Sequence, residues 1–520
     1  LPTVGEDVAA HLAQTPTVPL ASAILEQALV TSPDELALTG PDSKLTYAEL
    51  HGAVERAAAS LIGLGVAPGT RVAACSGNRT DLVVAFLAVM RLGAIWVGIN
   101  PSLAQPEIEF QLADSGALVL IAPEQRTSGL RRNRLPDLAE MVEDIALRVP
   151  AESGAPPSSI DPHAPAAIAY TSGTTGRPKG VVHSQHNMMV VATGAGGRPV
   201  PGMHDRVGVC LPLTLVNLMI LGPLSAFSAG ATCVVLDRRD PPSLYQAIVE
   251  ERITTMAVVP TILHDLFDHP SVNTDRLLAN FRPSVGGADC PPAWRRVFAD
   301  RGLEVNQAYG LTEAPTTVTC GVAGQPDGSS GRSLPHIELT IRDEHDRQLN
   351  PGEVGEICIA PVNEGPKAGL YRTMLGYWND PHSTARALRG GRLHTGDIGK
   401  IDEDGFLYVN DRGDDLILRG GANVYPAEIE RVLSAQPGVA GCAVVGIPDE
   451  RLGQVAAAAV EPYPGAMLTQ EQLIRECSRE LARYKVPERI VIVERLPRTA
   501  MGKVRRSEVR SLFFANKEQP

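Results

Sequence analysis

"YTSGTTGRPKGVVHS" runs from Tyr170 to Ser184 and gathers three glycines (Gly173, Gly176, Gly180), five aliphatic hydroxyls (Thr171, Ser172, Thr174, Thr175, Ser184) and Lys179. Apolar side chains are nearly absent before Val181, so the run is not built to fill a core. Glycine lets the backbone approach an oxyanion and turn its N–H groups inward, and hydroxyls and an ammonium add donors, so the composition suits phosphate. The common nucleotide loop G-x-x-x-x-G-K-[ST] is not present, because Pro178 stands five after Gly173 and Gly180 follows Lys179. Alone, such a run reads as a surface loop. The rest of the chain decides.

Outward from this loop, short β-rich runs alternate with helical ones. "RVAACSG", "ALVLIAP", "RVGVCLPL", "ATCVVLD", "TTMAVVP" and "RPSVGGA" are apolar strands separated by helical stretches such as "DLVVAFLAVMRLGA" and "PPSLYQAIVEERI". That texture predicts an α/β fold of parallel-type sheets covered by helices. From about Gly331, "HIELTIRD", "EVGEICIAP" and "GFLYVNDR" with turns "NPGE" and "DEDG" predict a smaller, mostly antiparallel β-rich subdomain. Beyond Asp414, the helices "PAEIERVLSAQ" and "QEQLIRECSRELARY" and the strands "GCAVVGIPD" and "RIVIVERL" predict a compact α+β unit. The expected division is an N-terminal domain over 1–413 and a small C-terminal domain over 414–520.

The chain has 520 residues, 47 basic against 59 acidic, for a net charge of -12, which argues against nucleic acid as the main partner. Its eight cysteines are scattered without a C-x-x-C pair, as expected for reduced thiols. His183 and His186 form an H-x-x-H without supporting carboxylates or cysteines, and read as loop and helix-start residues. No basic start followed by an apolar core marks a secretory signal, and no apolar run approaches the roughly 20 residues of a membrane span. "LVVAFLAVM" and "LMILGPLSAFSAG" read as buried helices. A soluble, cytoplasmic protein is expected.

Three further stretches accompany the opening loop in order: "NQAYGLTEAP" (Asn306–Pro315), expected directly after a strand; "LHTGDIGKIDEDGFLYVNDRGDDLILRGGANVYPAEIE" (Leu393–Glu430); and "LPRTAMGKVRR" (Leu496–Arg506). The set closely resembles the adenylate-forming superfamily of acyl- and aryl-CoA synthetases, peptide-synthetase adenylation domains and luciferases. The resemblance covers about Leu45 to Arg506.

It implies two-step chemistry. A carboxylate attacks the α-phosphorus of ATP and pyrophosphate leaves; a second nucleophile, often the thiol of coenzyme A, then displaces AMP from the acyl-adenylate. The resemblance assigns ATP to Thr171, Ser172, Gly173, Thr174, Thr175, Gly176 and Lys179, with Gly287, Ala288, Tyr309 and Gly310 near adenine. It places Asp397 and Arg412 at the ribose, Glu313 on Mg2+ and Thr312 at the α-phosphate. Lys503 matches the lysine that reaches the reacting carboxylate. Gly286 would line the acyl pocket, Asp414 would be a hinge, and Gly420 and Gly421, with Ala422, would line the thiol tunnel once the small domain rotates. Each has a plainer reading: Tyr309 as a core aromatic, "TE" as a helix cap, "GD" as a strand-end turn, Lys503 as a surface charge.

The sequence departs from many acyl-CoA synthetases after "RVGVCLPL". There the family runs roughly Pro-Leu-Phe-His, whereas "LPLTLVNLM" places Thr214 and Leu215 in the last two positions. Leu215 and Asn217 are therefore pocket candidates; Asn217 either meets a polar substrate group or caps the following helix. The leading expectation is an acid–CoA ligase for an aryl or medium-sized acid. Alternatives are a stand-alone adenylation enzyme serving a carrier protein or another acceptor, including nitrite activation for diazotising an aryl amine, and a non-catalytic nucleotide-binding protein. "RGGANVYPAEIE" and "ARYKVPERIVIVERLPRTAMGK" look like CoA synthetases, and the chain reaches Pro520 without a carrier domain. Lys503 and Glu313 in their family positions speak against the non-catalytic reading.

Overall fold

The computed structural model describes residues 18–143, 155–171, 177–237, 240–286, 290, 292–322, 324–412, 416–497 and 504–514. The first half builds two sheets. One has six strands in the order Arg282–Val285, Thr255–Val258, Arg206–Val209, Thr232–Val235, Leu36–Thr39 and Lys44–Thr46, parallel except for the last pair. The other has seven: Gly376–Tyr377, Lys179–Ser184, Pro165–Thr171, Ile95–Gly98, Arg71–Ala74, Val119–Ile121 and Glu140–Val142. Its last five strands are parallel, while the first three pair antiparallel. The expected parallel core is present, with antiparallel edges added.

Helix Thr80–Arg91 is buried on nearly every side, which explains its almost continuous apolar sequence. It shares one core with Leu38 and Cys233 of the first sheet and Val72 and Trp96 of the second. Helix Tyr47–Gly63 joins that core, its start fixed by reciprocal hydrogen bonds between Thr46 and Glu49. "LMILGPLSAFSAG" is also buried, but Pro223 has no N–H to continue an α-helix, and Ile220–Leu224 passes through a π-turn between two short helical pieces.

Strands Ile337–Arg342, Gly355–Pro361, Leu393–Ile401 and Leu407–Arg412 form the expected antiparallel β region. The C-terminal part is a five-stranded sheet of Ala422–Val424, Ile417–Arg419, Gly453–Pro462, Val439–Asp449 and Arg489–Ile492. Helices Pro426–Ser434 and Gln470–Glu480 pack on one face, and Val509 and Phe513 from the final helical turns pack on the other.

Two expectations are corrected. No strand precedes Tyr309, since residues 303–310 make no sheet pairing. His183 lies in strand Lys179–Ser184 rather than a loop; it is fully buried, and burial pushes its pKa down to about 4. His186 does open helix Gln185–Ala192, its Nε2 2.9 Å from the Leu370 carbonyl oxygen.

Candidate active site

The opening stretch folds as an antiparallel hairpin whose register places Thr171 opposite Lys179. The ends of the glycine-rich run are thus brought together. Its base is held from below: the Tyr170 hydroxyl donates to Asp114 Oδ2 at 2.6 Å, and Trp378 Nε1 donates to the Asp114 carbonyl at 3.1 Å.

Lys179 is half-buried, and its Nζ donates to Ser383 Oγ at 2.9 Å while lying 5.1 Å from the Tyr377 ring centre. The Tyr377 hydroxyl donates to Glu313 Oε1 at 3.1 Å, so one aromatic residue links the ammonium to the carboxylate. Burial depresses the Lys179 pKa, against the pull of Asp380 and Glu313. Burial, then Glu313, raises that of Tyr377 and keeps the phenol protonated.

Glu313 and Thr312 lie at the edge of a cleft of about 2430 Å³ that Thr171, Tyr309 and Gly310 also line. The backbone turns tightly here: Val318 and Thr319 N–H both donate to the Tyr309 carbonyl. A Cβ at Gly310 would fall 1.6 Å from the Thr316 carbonyl oxygen, so only glycine fits. The β-branched Thr316 is held at φ 70°, a strained conformation of the kind found at functional sites. The Tyr309 ring packs in the core with Ala314, Val318 and Leu334, and its hydroxyl donates to Asp397 Oδ2 at 2.5 Å. Tyr309 is thus a core aromatic that also lines the cleft.

The far wall comes from the C-terminal sheet. Gly420 and Gly421 form the two-residue tip of the hairpin Ile417–Arg419/Ala422–Val424, with φ of 56° and 84°. Positive φ at both positions is what a type I′ turn requires. Gly421 also abuts Val259, whose Cγ1 would sit 2.7 Å from an added Cβ. The Gly420 carbonyl accepts from Thr261 Oγ1 at 3.4 Å.

Comparison with known proteins shows the family. The sequence model of the AMP-binding enzyme family matches residues 25–378, and that of the AMP-binding enzyme C-terminal domain matches residues 428–503. The chain belongs to the AMP-binding enzyme family. It is similar to feruloyl-CoA synthase of an Amycolatopsis species, 34% identical over 93% of this chain and 96% of that protein. Among solved structures, a double mutant of o-succinylbenzoate CoA synthetase from Bacillus subtilis superposes with a TM-score of 0.83 at 30% identity, covering 95% of this chain and 99% of that one. The amide bond synthetase McbA from Marinactinospora thermotolerans superposes with a TM-score of 0.82 at 31% identity, covering 95% and 100%.

In this AMP-binding enzyme, Asp397 lies within strand Leu393–Ile401, not at a strand-end turn, and its register partner is Arg412. Asp397 is buried, and Lys179 is half-buried. Gly286 follows strand Arg282–Val285, and among the described residues no atom lies within 4 Å of an added Cβ. Leu215, 40% exposed, and Asn217 both line the cleft. Asn217 is not a helix cap: Leu215 holds the N-cap position of Val216–Met219, no side chain caps it, and Asn217 Oδ1 is buried without a hydrogen-bond partner among the described residues. Ser172, Gly173, Thr174, Thr175, Gly176, Gly287, Ala288, Asp414 and Lys503 lie outside the described residues, as does the Arg412 side chain. Tyr377 and Ser383 were not legible in the sequence; the signal available was the aromatic pair Tyr377–Trp378 between two turn-forming segments.

The unpaired Asn217 Oδ1 gives a direct expectation. Asn217→Leu lowers kcat/KM by the equivalent of about 1–3 kcal/mol for an acid whose substituent meets the amide, and little for its unsubstituted analogue. The check is the ratio of kcat/KM for the two acids in wild type and variant; an unchanged ratio removes Asn217 from substrate recognition.

Proposed function

We propose that this chain is an ATP-dependent acid–CoA ligase that forms an acyl-adenylate with release of pyrophosphate and passes the acyl group to the thiol of coenzyme A. The observation that carries the reading is the Lys179–Tyr377–Glu313 cluster beside a cleft whose far wall is the Gly420–Gly421 hairpin. The donor set suits a magnesium polyphosphate: a carboxylate is a hard oxygen ligand for Mg2+, and a lysine is a compact cation for phosphate. When bound, the metal neutralises charge on the phosphate oxygens. Tyr377 fixes the carboxylate, Lys179 holds positive charge at the hairpin mouth, and Thr312 offers a hydroxyl at the cleft edge. Asp397 and Arg412 serve the ribose, and Gly286, Gly287 and Ala288 leave room for adenine and the acid.

Transfer to a thiol is assigned to a second orientation of the small domain, with Asp414 as the pivot between Leu407–Arg412 and Ile417–Arg419. Proline fixes φ near -65° and removes an N–H, so Asp414→Pro leaves adenylate formation near wild type and slows transfer from adenylate to acceptor. Single-turnover measurement of the two half-reactions tests this; unimpaired transfer moves the hinge elsewhere.

Thr214 and Leu215, in place of the aromatic and histidine of many CoA synthetases, favour a second reading in which the acyl group goes to an amine, a carrier protein or another acceptor. The likeness to an amide bond synthetase supports keeping it. A pyrophosphate-release screen over aliphatic, aryl and amino-aryl acids, run with and without coenzyme A, tests both. Product analysis with an amine, a carrier protein and nitrite as separate arms identifies the acceptor. CoA thioester formation upholds the first reading; pyrophosphate release with product only in another arm replaces it with the second.

A further inference from the structure

The cleft wall holds a cation with no acid beside it. Arg198 follows helix Gln185–Ala192 and lines the cleft together with Ser225, Leu221 and Cys320. Its Nε and Nη2 each reach the Val191 carbonyl oxygen at 3.4 Å, and Nη2 donates to Ser225 Oγ at 3.1 Å. Among the described residues, Nη1 has no hydrogen-bond acceptor and no carboxylate lies within ion-pairing distance of the guanidinium. Burial lowers its pKa to about 10, and the half-buried Cys320 thiol is the neighbour that opposes this. By contrast, Lys485 has Glu107 and Glu428, and Arg206 has Glu251.

A desolvated guanidinium is costly without a counter-charge. The Val191 carbonyl, at the negative end of its helix, offsets part of that cost. Arg198 lines the cleft, and a guanidinium edge matches a carboxylate through two parallel N–H donors. Leu218 and Leu221 supply apolar wall nearby, suited to the body of an organic acid.

We infer that Arg198 is a subsite for a second carboxylate on the substrate, so that the acid activated is a dicarboxylate whose remote carboxylate pairs with this guanidinium while the other reacts. Ser225 positions the guanidinium. The inference rests on the acid-activating reading above and narrows its substrate class.

The test uses the full chain and matched acid pairs: benzoate with benzene-1,4-dicarboxylate, cinnamate with 4-carboxycinnamate, and octanoate with octanedioate. Pyrophosphate release gives kcat/KM, and calorimetric titration of each acid without ATP gives binding. In at least one pair, wild type favours the dicarboxylate by about tenfold or more. Arg198→Met lowers that preference by about 10–100-fold, mainly through KM, the scale of a charge-assisted hydrogen bond. The monocarboxylate changes by less than about threefold, and Arg198→Lys retains part of the preference. If the Met variant does not fold, Ser225→Ala must lower the ratio in the same direction. A wild-type ratio near one in every pair, or a ratio unmoved by these variants, overturns the inference; a fall in Tm with an unmoved ratio makes Arg198 only a cap of its helix. Monocarboxylate turnover without dicarboxylate preference overturns it and leaves the ligase reading intact. Arg198-dependent binding of a dicarboxylate without pyrophosphate release upholds it and sinks the ligase reading.

Discussion

Lys503→Ala lowers acyl-adenylate formation by about 10²–10³, the effect of removing one charge-stabilising donor from a preorganised site. Supplied acyl-adenylate is still consumed at close to the wild-type rate. Lys503 lies in "PRTAMGK", outside the described residues, but the flanks of that segment are joined: Arg505 N–H donates to the Pro497 carbonyl at 2.9 Å. In sequence it lies between strand Arg489–Ile492 and helix Arg506–Ser511, both in the C-terminal part of the chain. The prediction follows from the proposed role of Lys503 in the first half-reaction and from rotation of the small domain before the second. The measurement is single-turnover pyrophosphate release against thiol-dependent AMP release from added adenylate. Equal loss in both steps would mean that Lys503 acts on the fold or on nucleotide binding in general.

Lys485→Met destabilises the protein by about 3–5 kcal/mol, the scale of breaking a buried ion pair. Lys485 is nearly inaccessible; its Nζ lies 2.6 Å from Glu107 Oε1 and 3.2 Å from Glu428. Glu107 belongs to helix Gln105–Ser115 of the second sheet's layer, and its Oε2 also accepts from Ala482 N–H at 2.8 Å. One lysine therefore ties the C-terminal sheet to the large domain. Burial opposes its charge, but Tyr484, Glu428 and Glu107 together raise its pKa above the ordinary lysine value. Burial raises the Glu428 pKa, with Lys485 pulling it down. Without Lys485 the Glu428 carboxyl rises further, so the folded variant binds more protons than the unfolded chain. Its stability then falls as pH rises, and the gap to wild type narrows as pH drops toward the carboxyl range. Denaturant melts at several pH values check this; a gap that stays constant, or no gap, removes Lys485 from the interface account.

Local features of the chain were open to reading because their causes are local. The apolar run "ATCVVLD" is a strand buried on both faces, "TTMAVVP" is a strand with one face buried and the other half-buried, and "DLVVAFLAVM" is a helix buried on nearly every side. The turn pair Gly420–Gly421 is glycine because both positions need positive φ. The family, and with it the order of the site motifs, followed from four short stretches whose spacing no single motif could supply.

Other features depend on partners far away along the chain. "VAAAAV" has poor intrinsic strand preference, yet Ala456–Ala459 form the centre of strand Gly453–Pro462, paired on both sides with both faces covered. There, small side chains let the covering layers approach. Tyr377 joins Lys179 to Glu313 only because its short strand pairs with Lys179–Ser184. Asn217 was either a cap or a pocket residue until the helix start fell on Leu215. Arg198 is an ordinary loop arginine in sequence, and burial beside the cleft without an acid makes it a candidate subsite. The sequence by itself determined the family, the periodic elements and the chemistry of the loops, since these rest on residue type and short spacing. Tertiary structure alone decided which charges are paired, which polar groups are orphaned and which walls face the cleft, because burial and pairing are set by groups brought together from distant segments.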